Sequence, residues 1–394
     1  MTASQNKLTK TQGFALAGCG TTFLINGFLA LSLGSLMPFL RESYGFSYIL
    51  SGSMLSMHSI GNLLSSFIAG VLPFRYGRRK TTIALGSMGI LFYLLLLFCG
   101  GNTTLLLFAF FLSGVARGSC TNINNSVINL TLPGKAWAMN ILHASFAVGA
   151  FICPFMIVAL AGVGTEGWRI AVIILTVGYF LQQVIFASIH MPDNYPVRGK
   201  GGNDWSFLKK PRFLIVCAIM FFYMCVEQGV NGWLVTYFQD SGFLSAEYAQ
   251  TMASILWLFI LAGRLLCAVF SSRIPKELML CCTACGYAIF FFALLFAREF
   301  VPIVIFTMGV GFFMAGIYPT ALSTIGDICK ESPLAMSVVL TITGVGAIVM
   351  PSVIGFVADY YGIVLGMLTL LVAVFTNLGL ISLNMFLHKT KPGY

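Results

Sequence analysis

Twelve long apolar segments decide what this chain can fold into. Each offers about 20 mainly apolar residues, the length that an α-helix needs to cross a bilayer. They lie near residues 14–38, 47–72, 81–100, 103–130, 137–161, 168–189, 213–239, 244–270, 278–297, 301–325, 333–357 and 362–387. Only 9% of the 394 residues are charged, whereas soluble domains carry about 25%. The pattern predicts an all-α membrane protein with twelve transmembrane helices, because a helix in lipid satisfies its own backbone groups.

The basic residues predict the orientation of these helices. Of the 22 Lys and Arg residues, three lie in predicted outer loops (Arg41, Arg169, Arg298) and two within spans (Arg117, Arg264), which leaves 17 on the opposite side. Basic loops stay in the cytoplasm, so both termini are expected there, and the net charge of +10 reflects topology. Basic residues scattered over short loops do not indicate a nucleic-acid partner. We expect a monomeric multi-pass protein of the bacterial inner membrane, in contact with the lipid bilayer.

A polar segment divides the chain into two halves of six spans. Residues 190–212 are rich in Gly, Pro and charge, a composition typical of a linker. The pattern V-G-A-x-x-x-P-x-x-I begins at Val148 and again at Val345. Repeats of this kind are found in secondary transporters. We therefore predict two pseudo-symmetric six-helix bundles, residues 1–189 and 213–394, joined by a cytoplasmic linker.

The loop after the second span carries a recognisable motif. It reads "GVLPFRYGRRK" and resembles the signature Gly-x-Leu-Ala-Asp-Arg-x-Gly-Arg-Arg/Lys of the major facilitator superfamily. Pro73 and Phe74 replace the usual Ala and Asp, and the missing carboxylate argues against the family's charge-relay gating at this loop. The resemblance implies a gating or structural role for Arg75, Gly77 and Arg78.

Four further stretches resemble the fucose–proton symporter branch and its sugar-porter relatives. They are "MNILHASFAVGA" (139–150), "EQGVNGWLVTY" (227–237), "AGRLL" (262–266) and "GVGAIVMPSVIGFVAD" (344–359). The resemblance implies the fold of that superfamily, with a central cavity lined by spans one, four, seven and ten. The fucose symporter carries acids in spans one and four, where this chain has Asn26 and Arg117. Proton coupling cannot be transferred from those positions.

Three charged residues lie deep within spans: Arg117, Glu227 and Arg264. A charge at the centre of a span costs about 2.5–3.5 kcal/mol on insertion scales, and such residues mark substrate or ion pathways. Helical spacing places Tyr223 and Asn231 on the face of Glu227. Carboxylate, phenol and amide groups suit the recognition of sugar hydroxyls, and an intramembrane acid can also relay protons. The alternative is a Glu227 that only cross-links helices.

Arg117 begins a polar run in span four that includes Thr121 and Asn124, and this face is predicted to line an aqueous cavity. By the family resemblance, Arg117 and Glu227 share that cavity and can pair when it is empty. Arg117 can instead anchor an anionic substrate group, or serve as a structural anchor to backbone carbonyls. Arg264 is nearer the cytoplasmic end of span eight, and we expect a gating or structural role there.

Weaker candidates are other polar or aromatic residues within spans. They are Asn26, His58, Asn62, His143, Trp233 and Tyr237. The two histidines can relay protons or form interhelical hydrogen bonds, and the two aromatic residues can stack on a sugar ring. Tyr318 and Pro319 are expected to kink span ten. The cysteines lack zinc-site spacing and are predicted to be packing residues.

The sequence as a whole predicts a secondary active transporter for a small polar solute, most simply a sugar or sugar derivative. Transport is expected to use alternating access and a proton as coupling ion, with no cofactor. The chain has no Walker pattern, so ATP-driven transport is not predicted, and no enzyme core is expected. The alternatives are a proton-driven exporter of drugs or amphiphiles, a transporter of a small organic anion, and a non-transporting membrane sensor.

Overall fold

The computed structural model describes residues 8–133, 135–164, 166–192, 205–270 and 273–390. The predicted linker, 190–212, therefore lies mostly outside the described residues, and its described part contains a short 3-10 helix, Ser206–Lys209. The α-helices are α1 (Lys10–Tyr44), α2 (Tyr48–Val71), α3 (Pro73–Tyr76), α4 (Arg78–Phe98), α5 (Thr103–Thr131), α6 (Ala136–Ala161), α7 (Gly167–Ser188), α8 (Pro211–Asp240), α9 (Ala246–Phe270), α10 (Lys276–Phe296), α11 (Phe300–Met314), α12 (Ile317–Thr324), α13 (Gly326–Glu331), α14 (Pro333–Tyr361), α15 (Ile363–Leu368) and α16 (Leu370–Thr390).

Among the described residues, 12 helical segments are long and apolar enough to cross a membrane, which confirms the predicted number. Two of these segments are interrupted: Phe300–Thr324 is built from α11 and α12, and Ile363–His388 from α15 and α16. The first interruption falls between Met314 and Ile317. It lies directly before Tyr318, where the sequence predicts a kink.

The motif loop owes its shape to Gly77, which lies between α3 and α4 with φ of +83°. Residues with a β-carbon rarely adopt this left-handed conformation, so this position favours glycine. Arg78 starts α4 and is only 4% exposed, whereas Phe74 and Arg75 are exposed. These placements support a structural role for Gly77 and Arg78. The gating role predicted for Arg75 stays a prediction.

The chain forms two compact units. The first contains Met1–Ser32 and Met57–Val197, and the second contains Leu33–Ser56 and Arg198–Tyr394. The boundary therefore runs through α1 and α2 as well as through the linker region. The predicted bundles, 1–189 and 213–394, stay a prediction.

In the first unit, α4 packs along α5 and α7. Tyr93 of α4 is fully buried, and its hydroxyl lies 2.9 Å from the Ser32 hydroxyl. On α5, a β-carbon added at Gly114 would collide with the backbone carbonyl oxygen of His58 in α2. Glycine at this position therefore lets the two helix backbones approach closely, as small residues do in membrane helix packing.

In the second unit, α8 is the central helix, with α14, α16 and α9 packed around it. The amide of Asn377 on α16 donates a hydrogen bond of 2.6 Å to the Ile219 carbonyl of α8. Helix α8, which carries Glu227, is thus packed among helices of the same unit.

Replacing Gly114 with Ala should destabilise the first unit. The added methyl group meets backbone atoms that cannot turn away, and overpacking of this kind costs about 1–3 kcal/mol. The measurement is the thermal unfolding temperature of the purified protein in detergent. Gly178→Ala is the matched control, because no atom lies within 4 Å of the added β-carbon there. Equal unfolding temperatures for the two variants would contradict the close α2–α5 contact.

Candidate functional site

The first unit holds a polar group of residues that we call the Arg117 cluster: His58, Ser113, Arg117, Thr121 and Asn26. Nη1 of Arg117 lies 3.4 Å from Nε2 of His58, and Nδ1 of His58 lies 2.7 Å from the Ser113 hydroxyl. A guanidinium only donates hydrogen bonds, so Nε2 accepts and Nδ1 carries the proton. The Ser113 hydroxyl donates onward to the Phe110 carbonyl at 2.6 Å and accepts from Nδ1. His58 is therefore neutral in this arrangement.

Further hydrogen bonds tie α1 to α5 beside the Arg117 cluster. The Asn26 amide donates to the Thr121 hydroxyl at 3.0 Å, and the Thr22 hydroxyl lies 3.0 Å from Oδ1 of Asn124. Thr22, Asn26 and Asn124 are fully buried, whereas Arg117 and Thr121 are only half-buried. Arg117 and Thr121 are therefore the members best placed to meet a solute, and the buried amides favour a role in helix packing.

The remaining candidates of the first unit lie at the edge of this cluster. Asn62 is half-buried one turn after His58, and its side-chain oxygen packs close to Gly118 of α5. His143 lies on an exposed face of α6, and its ring meets Phe23 edge-on with centroids 5.4 Å apart. A role of either residue in proton relay stays a prediction.

The second unit holds the Glu227 cluster: Tyr223, Glu227, Arg264, Tyr287 and Tyr318. The hydroxyl of Tyr223, one turn before Glu227, makes a side-chain hydrogen bond with the carboxylate. Tyr287 of α10 and Tyr318 of α12 also interact electrostatically with Glu227. The rings of Tyr223 and Tyr318 pack edge-on, with their centroids 6.1 Å apart. The Arg264 guanidinium interacts electrostatically with the hydroxyls of Tyr223 and Tyr318. Glu227 itself is half-buried, so a partly accessible acid lies within electrostatic range of three phenols, two of which also interact with a guanidinium.

Sequence reasoning found part of this cluster. Helical spacing predicts Tyr223 beside Glu227, and the structure places them together. Tyr287 was missed because a single tyrosine in an apolar span looks like any core aromatic residue. Its hydroxyl is buried, with no hydrogen-bond partner within the described part of the chain. Leaving such a group unsatisfied costs about 1–3 kcal/mol, which makes it a candidate for contact with a solute or water.

Three residues further along α8 use their polar atoms in helix packing. Oδ1 of Asn231 accepts a hydrogen bond of 3.1 Å from the indole of Trp257. The Trp233 indole donates to the Pro351 carbonyl at 3.2 Å, and the Tyr237 hydroxyl donates to the Leu295 carbonyl at 3.1 Å. Both of these aromatic residues are fully buried, which favours anchoring of α8. Stacking of Trp233 and Tyr237 on a sugar stays a prediction.

Comparison with known proteins gives one family over most of the chain. The model of the Major Facilitator Superfamily matches residues 19–279 and 242–393. Curated relatives include major facilitator superfamily domain-containing protein 4A from Pongo abelii and from Homo sapiens, each 29% identical over 152 residues. These matches cover 37% of this chain but only 29% of each relative's length. The mouse (Mus musculus) protein is 28% identical over 122 residues, which are 31% of this chain and 23% of that protein.

Solved structures of transporters share the fold. The nucleoside transporter NupG superposes with a TM-score of 0.80 over 94% of this chain and 99% of its own, at 14% identity. A bacterial homolog to the human lysosomal transporter Spinster, in an inward-facing and occupied conformation, gives a TM-score of 0.76 at 15% identity, covering 98% of this chain and 100% of its own. At such low identities the likeness shows the fold alone.

The Arg117 cluster predicts that His58 matters for stability even without a substrate. His58→Phe removes the acceptor of one Arg117 hydrogen bond and the donor of the bond to Ser113, and the loss of a hydrogen bond typically costs about 0.5–1.5 kcal/mol. We expect a clearly lower unfolding temperature than for His190→Phe, which alters an exposed histidine. His58→Gln, which keeps polar atoms at the site, should recover part of the loss. An unchanged unfolding temperature in His58→Phe would show that the hydrogen bonds of His58 do not stabilise the fold.

Proposed function

Because the chain belongs to the Major Facilitator Superfamily, we propose that it is a secondary active transporter that moves a small polar solute by alternating access. Membership makes it a multi-pass membrane transporter and not an enzyme. The solute we propose is a sugar or a sugar derivative, carried together with a proton. The observation on which this proposal rests is the Glu227 cluster.

The chemistry of the Glu227 cluster suits a polyhydroxylated solute. A carboxylate accepts hydrogen bonds from hydroxyls, while phenol hydroxyls both donate and accept. Tyr223 hydrogen-bonds Glu227, and Tyr287 and Tyr318 on two other helices lie within electrostatic range of it. The tyrosine rings add apolar surface beside the polar atoms, and a sugar presents the same mixture of C–H faces and hydroxyls.

The same acid supports the proposal of proton coupling. Ionisable residues within spans commonly belong to proton relays, and Glu227 is half-buried rather than sealed in the core. If protonation of Glu227 changes which hydrogen bonds it offers to the solute, binding of the proton and of the solute are linked. The predicted pairing of Arg117 with Glu227 stays a prediction, because the two residues belong to different units.

A small organic anion is the second candidate solute. The observation in its favour is Arg264, which acts on two tyrosines of the Glu227 cluster. Guanidinium groups bind carboxylates and phosphates through paired hydrogen bonds. The half-buried Arg117 of the first unit offers the same chemistry. Export of hydrophobic cations is the third candidate, with Glu227 as their counter-charge.

The proposal also includes the orientation of the protein in the membrane, its location and its oligomeric state. The distribution of Lys and Arg supports cytoplasmic termini. Location in a bacterial inner membrane and a monomeric state stay predictions from the sequence.

Glu227→Gln should abolish the stabilisation of the protein by its solute. The carboxamide keeps the size of the side chain but loses the charge and one acceptor position, and a hydrogen bond to a charged group is worth about 1.5–3 kcal/mol. The measurement is a thermal-shift screen of the purified protein against neutral sugars, sugar acids, nucleosides and hydrophobic cations. We expect stabilisation by sugars that is lost in Glu227→Gln.

Glu247→Gln is the matched control, because Glu247 is an exposed acid in the first turn of α9. It should respond to sugars as the unaltered protein does. Stabilisation only by sugar acids would favour the organic-anion candidate, and stabilisation only by hydrophobic cations would favour the exporter. Sugar stabilisation that persists in Glu227→Gln would contradict the proposed site.

A further inference from the structure

Helix α7 carries three polar residues that face the interior of the first unit: Tyr179, Gln182 and Gln183. Spacings of three and four residues place both glutamines on the same side of the helix as Tyr179. Tyr179 and Gln182 are fully buried, and Gln183 is 8% exposed. We call these three residues the α7 polar group. Polar side chains are costly inside a membrane and commonly mark functional sites.

Most polar atoms of the α7 polar group have no hydrogen-bond partner among the described residues. These atoms are the Tyr179 hydroxyl, Nε2 of Gln182, and both Nε2 and Oε1 of Gln183. Oε1 of Gln182 has one long contact of 3.9 Å with the Cys120 thiol, and a thiol is a weak donor. Buried polar atoms in proteins are nearly always hydrogen-bonded. The group therefore points to a ligand.

Helix α4 gives these side chains room. A β-carbon added at Gly89 would collide with the Tyr179 ring, and one added at Gly86 would lie 2.6 Å from Nε2 of Gln183. Glycine at both positions lets the phenol and the amide pack against the α4 backbone, as small residues do between membrane helices. Because close helix packing encloses the group, a molecule that reaches it must be very small.

The chemistry of the group favours a neutral ligand that both donates and accepts hydrogen bonds. The amide nitrogens donate, Oε1 of Gln183 accepts, and the Tyr179 hydroxyl can do both. Hard metal cations prefer carboxylate ligands, but residues 43–188 of the sequence contain only one carboxylate, Glu166, which is exposed before the start of α7. Water meets the requirements of size, charge and hydrogen bonding together.

The α7 polar group adjoins the Arg117 cluster through α5. Tyr179 interacts electrostatically with Arg117 and with Cys120. The Asn124 amide donates to Sγ of Cys120 at 3.1 Å, and Oδ1 of Asn124 lies 3.0 Å from the Thr22 hydroxyl. A ligand of the α7 polar group would therefore lie in a polar region shared by α1, α5 and α7.

We propose that Tyr179, Gln182 and Gln183 bind ordered water in the interior of the first unit, and that this water bridges α7 to α5. Buried waters occupy polar sites and typically make about three hydrogen bonds each. A water that bridges Tyr179 to the two amides supplies a partner to each residue. Because α5 also carries Arg117, the water supports the helix on which the Arg117 cluster is built. This site does not depend on the solute proposed above.

Tyr179→Phe tests the site, because it removes one oxygen atom and leaves the ring in place. A hydroxyl that binds water loses a hydrogen bond, so the unfolding temperature in detergent should fall by about 2–4 °C. A hydroxyl that is buried dry would give the opposite sign, because the change removes an unsatisfied polar atom. Tyr76→Phe is the matched control, since Tyr76 is exposed, and it should leave the unfolding temperature unchanged.

Gln182→Met tests whether the side chains share water. Methionine keeps the length of the side chain without the amide. We expect Gln182→Met to lower the unfolding temperature. Combined with Tyr179→Phe, it should lower the temperature by less than the sum of the two single changes, because residues with a shared partner are not additive. A strictly additive loss would overturn the shared site.

X-ray footprinting detects the water in the unaltered protein. A short X-ray pulse converts ordered water into hydroxyl radicals that oxidise the side chains beside it, and mass spectrometry locates the added oxygen. We expect several-fold more labelling of Tyr179 than of Tyr237, a fully buried tyrosine whose hydroxyl donates to the Leu295 carbonyl. Labelling of Tyr179 no greater than that of Tyr237 would overturn the proposal. An unchanged or raised unfolding temperature in Tyr179→Phe would overturn it too.

Discussion

The cost of placing a charge in hydrocarbon governs the interior of this protein. An uncompensated charge at the centre of a span costs about 2.5–3.5 kcal/mol on insertion scales, so each one must have polar neighbours. Arg117 contacts the His58 ring, and Glu227 hydrogen-bonds Tyr223. Arg264 interacts electrostatically with Tyr223 and Tyr318. The helices that carry these neighbours must pack where the charges lie. These three charges therefore lie in two polar clusters, one in each unit.

Helix α8 carries both Glu227 and Asp240, the partner of Arg41 in an ion pair. Glu227 and Asp240 are 13 residues apart on α8, or about 20 Å along a straight helix. Between them, Trp233 and Tyr237 anchor α8 to α14 and α10 through hydrogen bonds to backbone carbonyls.

Local patterns predicted the fold and part of the site, because length, composition and helical spacing act over short stretches of chain. Twelve spans follow from apolar length, and Tyr223 beside Glu227 follows from a spacing of four residues. Partners from distant helices leave no such pattern. Arg41 looked like an ordinary outer-loop charge, although its partner Asp240 is 199 residues away. The sequence allows Trp233 to stack on a sugar ring, but only the packing of α14 shows that its indole donates to the Pro351 carbonyl.

The central claim is that Glu227 links a proton to a sugar. The most direct measurement is uptake of radiolabelled sugars, chosen from the stabilising set, into proteoliposomes with an imposed pH gradient. Accumulation above the outside concentration that collapses with a protonophore, and that is absent in Glu227→Gln but retained in Glu247→Gln, is the predicted result. Gradient-driven accumulation that is unchanged in Glu227→Gln would contradict the claim.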